Sequence, residues 1–269
     1  MSHFTVAVIH KPEQNIDDLL APYDEGLEVE PYIYRTVDKI IEDGIKRVER
    51  YLKDAKEDPE TYLDIERYGW MRPYLEAYEA KDWDRMYLAE REGETFDKDG
   101  NELTTYNPKS KWDWYSIGGR WAGMLNVSSK WVDEEYDWVD EEYNGGYVSD
   151  SAPIKAVDFS PNMDKYNRLK EWWEENVDSN KKEWTDFYKK EYYTDYYHDA
   201  HDYALRNSVF STYAVVTSDG EWHERGEMGW FGMSSETPEE GEDWDINYYK
   251  NFIATADPED WITIVDCHI

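Results

Sequence analysis

The sequence predicts an α+β fold: a single, mostly antiparallel sheet that includes both terminal strands and is covered by helices. Three observations predict it. Apolar, β-branched runs lie at both ends, FTVAVIH at 4–10 and WITIVDCHI at 261–269, with another, STYAVVT, at 211–217. A tryptophan-rich stretch, TTYNPKSKWDWYSIGGRWAGML at 104–125, adds strand signal in the middle. Between these lie blocks whose apolar residues recur at spacings of three and four, as on one face of a helix. Strands gathered at the ends and centre, with helical blocks between, argue for α+β rather than regular βαβ alternation. The expectation is one domain, 1–269, with helical insertions at about 31–92 and 162–208.

Taken in order, the first strand ends before Pro12, and residues 16–30 form a short turn or helix and then a loop. Val37, Ile40, Ile41, Ile45, Val48 and Leu52 predict a long helix from about Tyr34 to Lys56, with Gly44 a weak point inside it. Shorter helices are expected at 59–67, 72–80 and 82–92. Asp99–Gly100 predicts a hairpin pairing 93–97 with 101–106. In an extended chain Trp112 and Trp114 share one face and Asp113 and Tyr115 the other. Gly118–Gly119 then breaks the alternation, as a bulge or a close backbone approach does. The tandem WVDEEYDWVDEEYN at 131–144 is far shorter than a solenoid period and reads as an acidic loop or short helix. Residues 151–160 read as irregular, and 162–208 as helical with a break near 177–181. Ser218–Asp219–Gly220 turns the strand at 211–217 into a partner at 221–225. GEMGWFGM at 226–233 is a glycine-and-aromatic cover, 236–245 an acidic loop, 244–254 a short helix, and Asp257–Pro258 the turn into the last strand.

Composition narrows the function classes. Aromatic residues make up 17% of the chain, including 24 Tyr and 14 Trp, which a disordered acidic chain would lack. With 29 basic and 62 acidic side chains the formal charge is −33. Such a field repels nucleic-acid phosphates and anionic membranes and suits a basic partner or a bound cation. Cys267 is the only cysteine, so no intrachain disulfide forms, in keeping with a reducing cytoplasm. The N-terminal run is too short for a signal peptide, and no run approaches the roughly 20 apolar residues that span a bilayer.

Five blocks together resemble a family of hypothetical proteins encoded in phages and prophages of bacteria. They are MSHFTVAVI, LAPYDE at 20–25, TYNPKSKWDWYSIGGRW at 105–121, YAVVTSDGEWHERGEMGWFG at 213–232, and the terminal VDCHI. The resemblance implies a viral or prophage origin, with the protein working inside the host cell, in its cytoplasm. It implies no reaction and assigns no site residues.

Four groups of residues could carry chemistry. If the terminal strands pair, His3, His10, Cys267 and His268 could approach, as in a thiolate nucleophile or a zinc cluster; a lone buried Cys is more often a small hydrophobe. On a helix, His198, His201 and Asp202 share a face, a divalent-metal arrangement or simply a solvated one. Arg120 with Trp112, Trp114, Tyr115 and Trp230, and with backbone donors near Gly118, Gly119 and Gly229, could form an aromatic–arginine pocket for a nucleotide-type ligand. Arg120 could equally be tied to a buried carboxylate. Asp24, Glu25, Asp113 and Glu227 would be acid–base groups if they entered that pocket. Finally, Asp133, Glu134, Glu135, Asp140, Glu141 and Glu142, with Glu239, Glu240, Glu242 and Asp243, form acidic surfaces broken by aromatics. Carboxylates one helical turn apart lie about 6 Å from each other, close to phosphate spacing along a nucleic-acid strand.

The reading taken from the sequence is a phage-encoded acidic interaction protein. It inhibits a host nucleic-acid-targeting defence system by binding a basic nuclease or DNA-binding protein, as a DNA mimic, with no direct contact to nucleic acid or membrane. The alternatives are sequestration of a nucleotide-type signal in the aromatic–arginine pocket, and a hydrolase using His and carboxylate groups. No catalytic residue, metal or cofactor is assigned, since neither a Walker motif nor GxGxxG is present. The aromatic-rich surface is compatible with a homo-oligomer.

Overall fold

The computed structural model describes residues 2–269 apart from 63–64, 94, 132–139, 142–145, 180–183, 185–188 and 230–232. The chain divides into two compact units, Met1–Leu27 with Pro108–Ile269, and Glu28–Asn107. The first opens with strand β1 (His3–His10) and helix α1 (Ile16–Leu20). The second holds β2 (Tyr32–Arg35), α2 (Val37–Glu57), α3 (Pro59–Tyr62), α4 (Ile65–Tyr68), α5 (Arg72–Ala80), α6 (Trp83–Glu90) and β3 (Glu102–Thr104). The first unit then resumes with β4 (Trp114–Ile117), β5 (Leu125–Val127), β6 (Asp140–Glu141), β7 (Tyr147–Ser149) and β8 (Ser151–Pro153). It continues through α7 (Met163–Trp173), α8 (Glu191–Thr194), α9 (Ala200–Ser208), β9 (Ala214–Val216), β10 (Trp222–Glu224), α10 (Pro238–Tyr248) and β11 (Trp261–His268).

The architecture is α+β. The main sheet has six strands in the order β10-β9-β1-β11-β4, with β8 pairing the other end of the β11 edge that β4 occupies. Both terminal strands lie at its centre. They pair antiparallel from His3↔His268 to His10↔Trp261, and the only parallel pairing in this sheet is β1 with β9. Thr217, Ser218, Asp219 and Gly220 form the expected hairpin turn between β9 and β10, with Gly220 at φ 84°. Small additional sheets join β2 to β3 and β5 to β7 and β6.

Alternation along the central strands gives the sheet two apolar faces. Phe4, Val6, Val8, Ala214, Val216, Val265 and Cys267 pack against Leu20, Tyr23 and Trp112. Ala7, Ile9, Val215, Ile262 and Ile264 pack against Leu125, Ile154, Tyr248 and Ile253. Tyr248, fully buried, is on α10, and Ile253 is in the π-helical turn Tyr249–Ile253 that follows it. A separate aromatic cluster of Trp173, Val177 and Ala200, joined by Tyr193, Tyr197 and Tyr203, holds α7 to α9. Arg206 and Arg225 both donate to the buried carboxylate of Asp245, which ties α9, α10 and the strand after the hairpin together.

Several segments differ from the sequence reading. Residues 236–245 are not a loop: α10 starts at Pro238 under a reciprocal capping box between Thr237 and Glu240. Residues 151–160 are not wholly irregular, because Ser151–Pro153 pairs with β11. Tyr34 lies in strand β2, and the long helix starts three residues later behind the N-cap Thr36. The ladder of β3 is with β2, although Phe96↔Glu102 retains one bridge of the expected hairpin. Gly44 is a packing device: a Cβ there would lie 2.6 Å from Met86 Sδ, so its absence lets α6 approach α2 closely. No helix among the described residues is long and apolar enough to cross a membrane.

The capping box is testable. Thr237→Ala removes the acceptor for the Glu240 amide and should lower unfolding stability by about 1 kcal/mol, read as a lower urea midpoint at unchanged slope. An unaltered midpoint would show that α10 is held by its tertiary contacts, such as Tyr248 and Asp245, and not by this cap.

Candidate functional site

Strand β11 is flanked by β1 and β4, and the two registers set His3, His268 and Trp114 side by side, with Thr5, Asp266 and Ser116 as the next row. Directly opposed residues project from the same face of a sheet. At this end of the sheet one face therefore carries His3, Trp114, Asp266 and His268, and the other carries Phe4, Tyr115 and Cys267.

Each histidine is held by a carboxylate. His3 Nδ1 lies 2.7 Å from Asp266 Oδ1, and His268 Nδ1 lies 2.6 Å from Asp113 Oδ1. An ionised carboxylate only accepts, so each Nδ1 is the donor, which leaves Nε2 as the acceptor whenever the ring is neutral. The Asp113 amide also donates to the His268 carbonyl at 3.0 Å, fixing the start of β4 to the end of β11. The Trp114 indole stacks on His268, with centroids 5.1 Å apart and planes 18° off parallel, while the His3 ring meets both edge-on at 5.3 and 5.0 Å. His268 is 5% exposed and its Nε2 is buried without a hydrogen-bond partner among the described residues, whereas Trp114 is 46% exposed. One indole face is thus stacked on imidazole, His3 packs against it edge-on, and about half of the residue stays exposed.

The glycine pair explains how Arg120 reaches this site. Gly118 and Gly119 have φ of 67° and 53°, a region that costs other residues energy. A Cβ on Gly119 would sit 2.4 Å from Asp266 Cβ, so only glycine lets the backbone pass there. That approach allows the Arg120 amide to donate to Asp266 Oδ2 at 3.0 Å, so Asp266 grips His3 with one oxygen and the loop with the other. The Arg120 side chain is exposed and makes no ion pair among the described residues. Among these residues its guanidinium is not tied to a buried carboxylate; only its amide meets one, Asp266.

The expected aromatic–arginine pocket forms only in part. Trp112 and Trp114 do not share a face, because β4 begins at Trp114 and the alternation does not extend back to Trp112. Trp112 is 8% exposed, donates to the Leu20 carbonyl and packs edge-on against Tyr115. Tyr115 donates to Asp17, and burial first, then that carboxylate, pushes its phenol pKa well up. Both are core. The Gly118 and Gly229 amides are spent on the carbonyls of Ile264 and Met233. Trp230 lies outside the described residues. Of the four proposed acid–base carboxylates only Asp113 reaches the cluster; Asp24 accepts from the Gly26 amide.

The other expected sites come apart. Cys267 faces away from His3 and His268, and His10 lies at the far end of β1, bonded to Thr263. His198 precedes α9, its amide donates to Asp202 and its ring pairs with Glu242, while the His201 ring bonds Tyr166, so the two imidazoles are turned to different partners. Among the described residues no group of three or more His, Cys, Asp or Glu could hold a metal. Asp133, Glu134, Glu135 and Glu142 lie outside the described residues, and the backbone of Asp140 and Glu141 pairs with β7. On α10, Glu240 is engaged in the cap, Glu242 meets His198, and Glu239 and Asp243 are exposed. An open groove of about 510 Å³ is lined by Val157, Phe159, Phe210, Ile246 and Tyr249, none of them a residue singled out in the sequence. The sequence reading never named Asp266 as a partner, although the i, i+2 spacing of Asp266 and His268 in a strand puts both on one face.

Comparison with protein-family models, with curated proteins and with solved structures finds no match.

Burial, reinforced by Asp266, raises the pKa of the fully buried Cys267 thiol. Little thiolate therefore exists at pH 8, and an aromatic disulfide reagent should modify native Cys267 far more slowly than the urea-unfolded chain. Equal rates would contradict the inward orientation.

Proposed function

We propose that this protein binds a small anion bearing an aromatic ring, a nucleotide-type ligand, on Trp114 and Arg120. One observation carries the reading. In a chain of 62 acidic side chains, the exposed Arg120 makes no carboxylate pair among the described residues, its backbone amide is held by the Asp266 that also holds His3, and the half-exposed Trp114 of the same cluster is stacked on His268. A base stacking on that face contributes about 1–3 kcal/mol. A guanidinium supplies the planar donor fork that phosphate oxygens accept. The net charge of −33 disfavours long polyanions, so the ligand is a nucleotide or short oligonucleotide rather than a nucleic-acid duplex. The resemblance to phage proteins makes the host cytoplasm the setting and a host nucleotide signal the fitting ligand.

A second reading rests on the same charge. Glu239 and Asp243 are exposed one turn apart on α10, and an acidic surface of this kind engages a basic host nuclease or DNA-binding protein.

The two readings separate in titration. For the first, calorimetry with a panel of mono- and dinucleotides should give saturable binding. Trp114→Ala should weaken it by roughly 5- to 150-fold, Arg120→Ala should weaken it as well, and Trp112→Phe should leave it in place. Absence of binding to every member of the panel would sink the first reading. For the second, capture of a basic partner from host lysate should vanish at high salt and weaken in the doubly neutralised Glu239→Gln, Asp243→Asn protein. Capture indifferent to salt and to that change would contradict the second.

A further inference from the structure

The geometry points to hydrolysis of a phosphodiester in that ligand, with His3 as the catalytic residue that moves the proton. The inference rests on the binding reading above and adds a reaction to it. His3 stands at the side of the Trp114–His268 stack, with its ring centroid 5.3 Å from the indole. Asp266 holds its Nδ1–H at 2.7 Å, and nothing among the described residues bonds its Nε2. An imidazole oriented at Nδ1 by a carboxylate and open at Nε2 is the arrangement in which one ring acts first as base and then as acid.

The step balances without a co-reactant beyond water. Nε2 takes a proton from water as the water oxygen bonds to phosphorus, and charge develops on the phosphoryl oxygens beside Arg120. The bond from phosphorus to the leaving oxygen then breaks, and the imidazolium returns its proton to that oxygen. The products are a phosphomonoester and an alcohol. Asp266 stabilises the imidazolium that forms between the two halves. A diester matches this site better than a monoester, because one guanidinium meets one negative charge and Asp113 and Asp266 stand close by.

His268 has a different role. Its Nε2 is buried beneath the stack, and Asp113 fixes its plane, so it supports Trp114 as a positioning residue. Asp266 also positions, through both His3 and the Arg120 amide.

The test uses the full chain with adenylyl-(3′→5′)-adenosine as the probe, following products by chromatography and binding by calorimetry. The expected products are AMP and adenosine. His3→Gln should lower kcat by roughly 100- to 10,000-fold while the dissociation constant of the probe stays near that of the parent, which also shows that the variant is folded. Trp114→Ala should act mainly on KM. Binding without cleavage, or cleavage that persists at the parent rate in His3→Gln, would overturn this inference and leave the binding reading standing. Failure of the probe and of every other nucleotide to bind would remove both.

Discussion

The antiparallel pairing of β1 with β11 is the constraint on which the rest depends. Its register, His3↔His268 through His10↔Trp261, joins the two ends of the chain at the centre of the main sheet. The inner positions of both strands are buried, so a shift of one residue would send every apolar side chain to the opposite face. The same register that buries Val6 against Val265 and Ala7 against Ile264 therefore also sets His3 beside His268. The candidate site is a consequence of core packing at one end of the ladder, where buried apolar residues give way to imidazoles and carboxylates.

The second strand that matters is β4, and its hold on β11 is partly polar. Asp113 bonds both the backbone and the side chain of His268, and Asp266 reaches across to the Arg120 amide. Gly118 and Gly119 make that reach possible: a side chain at either would collide with Asp150 or Asp266. Three segments far apart in sequence, around residues 3, 113–120 and 266–268, thus form one hydrogen-bonded assembly.

Much of the fold was legible because it follows periodicity. The β-branched runs at 4–10 and 261–269 and the Ser218–Asp219–Gly220 turn carry strong local signals, and the terminal strands proved to be neighbours. Where the reading failed, local signals were overlooked or tertiary contacts decided. Thr237–Pro238–Glu239–Glu240 is a helix start, but its acid content suggested a loop. Ser151–Pro153 has no strand pattern of its own and is extended because an edge of β11 is free beside it. Trp112 and Trp114 share one face only in a chain extended through both, whereas β4 begins at Trp114. The site is half legible: the sequence offers Trp114, Arg120, the glycines and Asp113 as candidates, and lets His3 and His268 approach if the terminal strands pair. The partners Asp113 and Asp266 depend on register, which spacing within one strand does not reveal.

The central claim is that strand register fixes both imidazoles through their Nδ1 atoms. Nitrogen-15 spectra of the histidine side chains, at a pH where the rings are neutral, test it most directly. The account predicts that His3 and His268 are both held as the Nδ1–H tautomer, with Nε2 unprotonated. Rings that carry the proton on Nε2, or that average between tautomers like free imidazole, would contradict it.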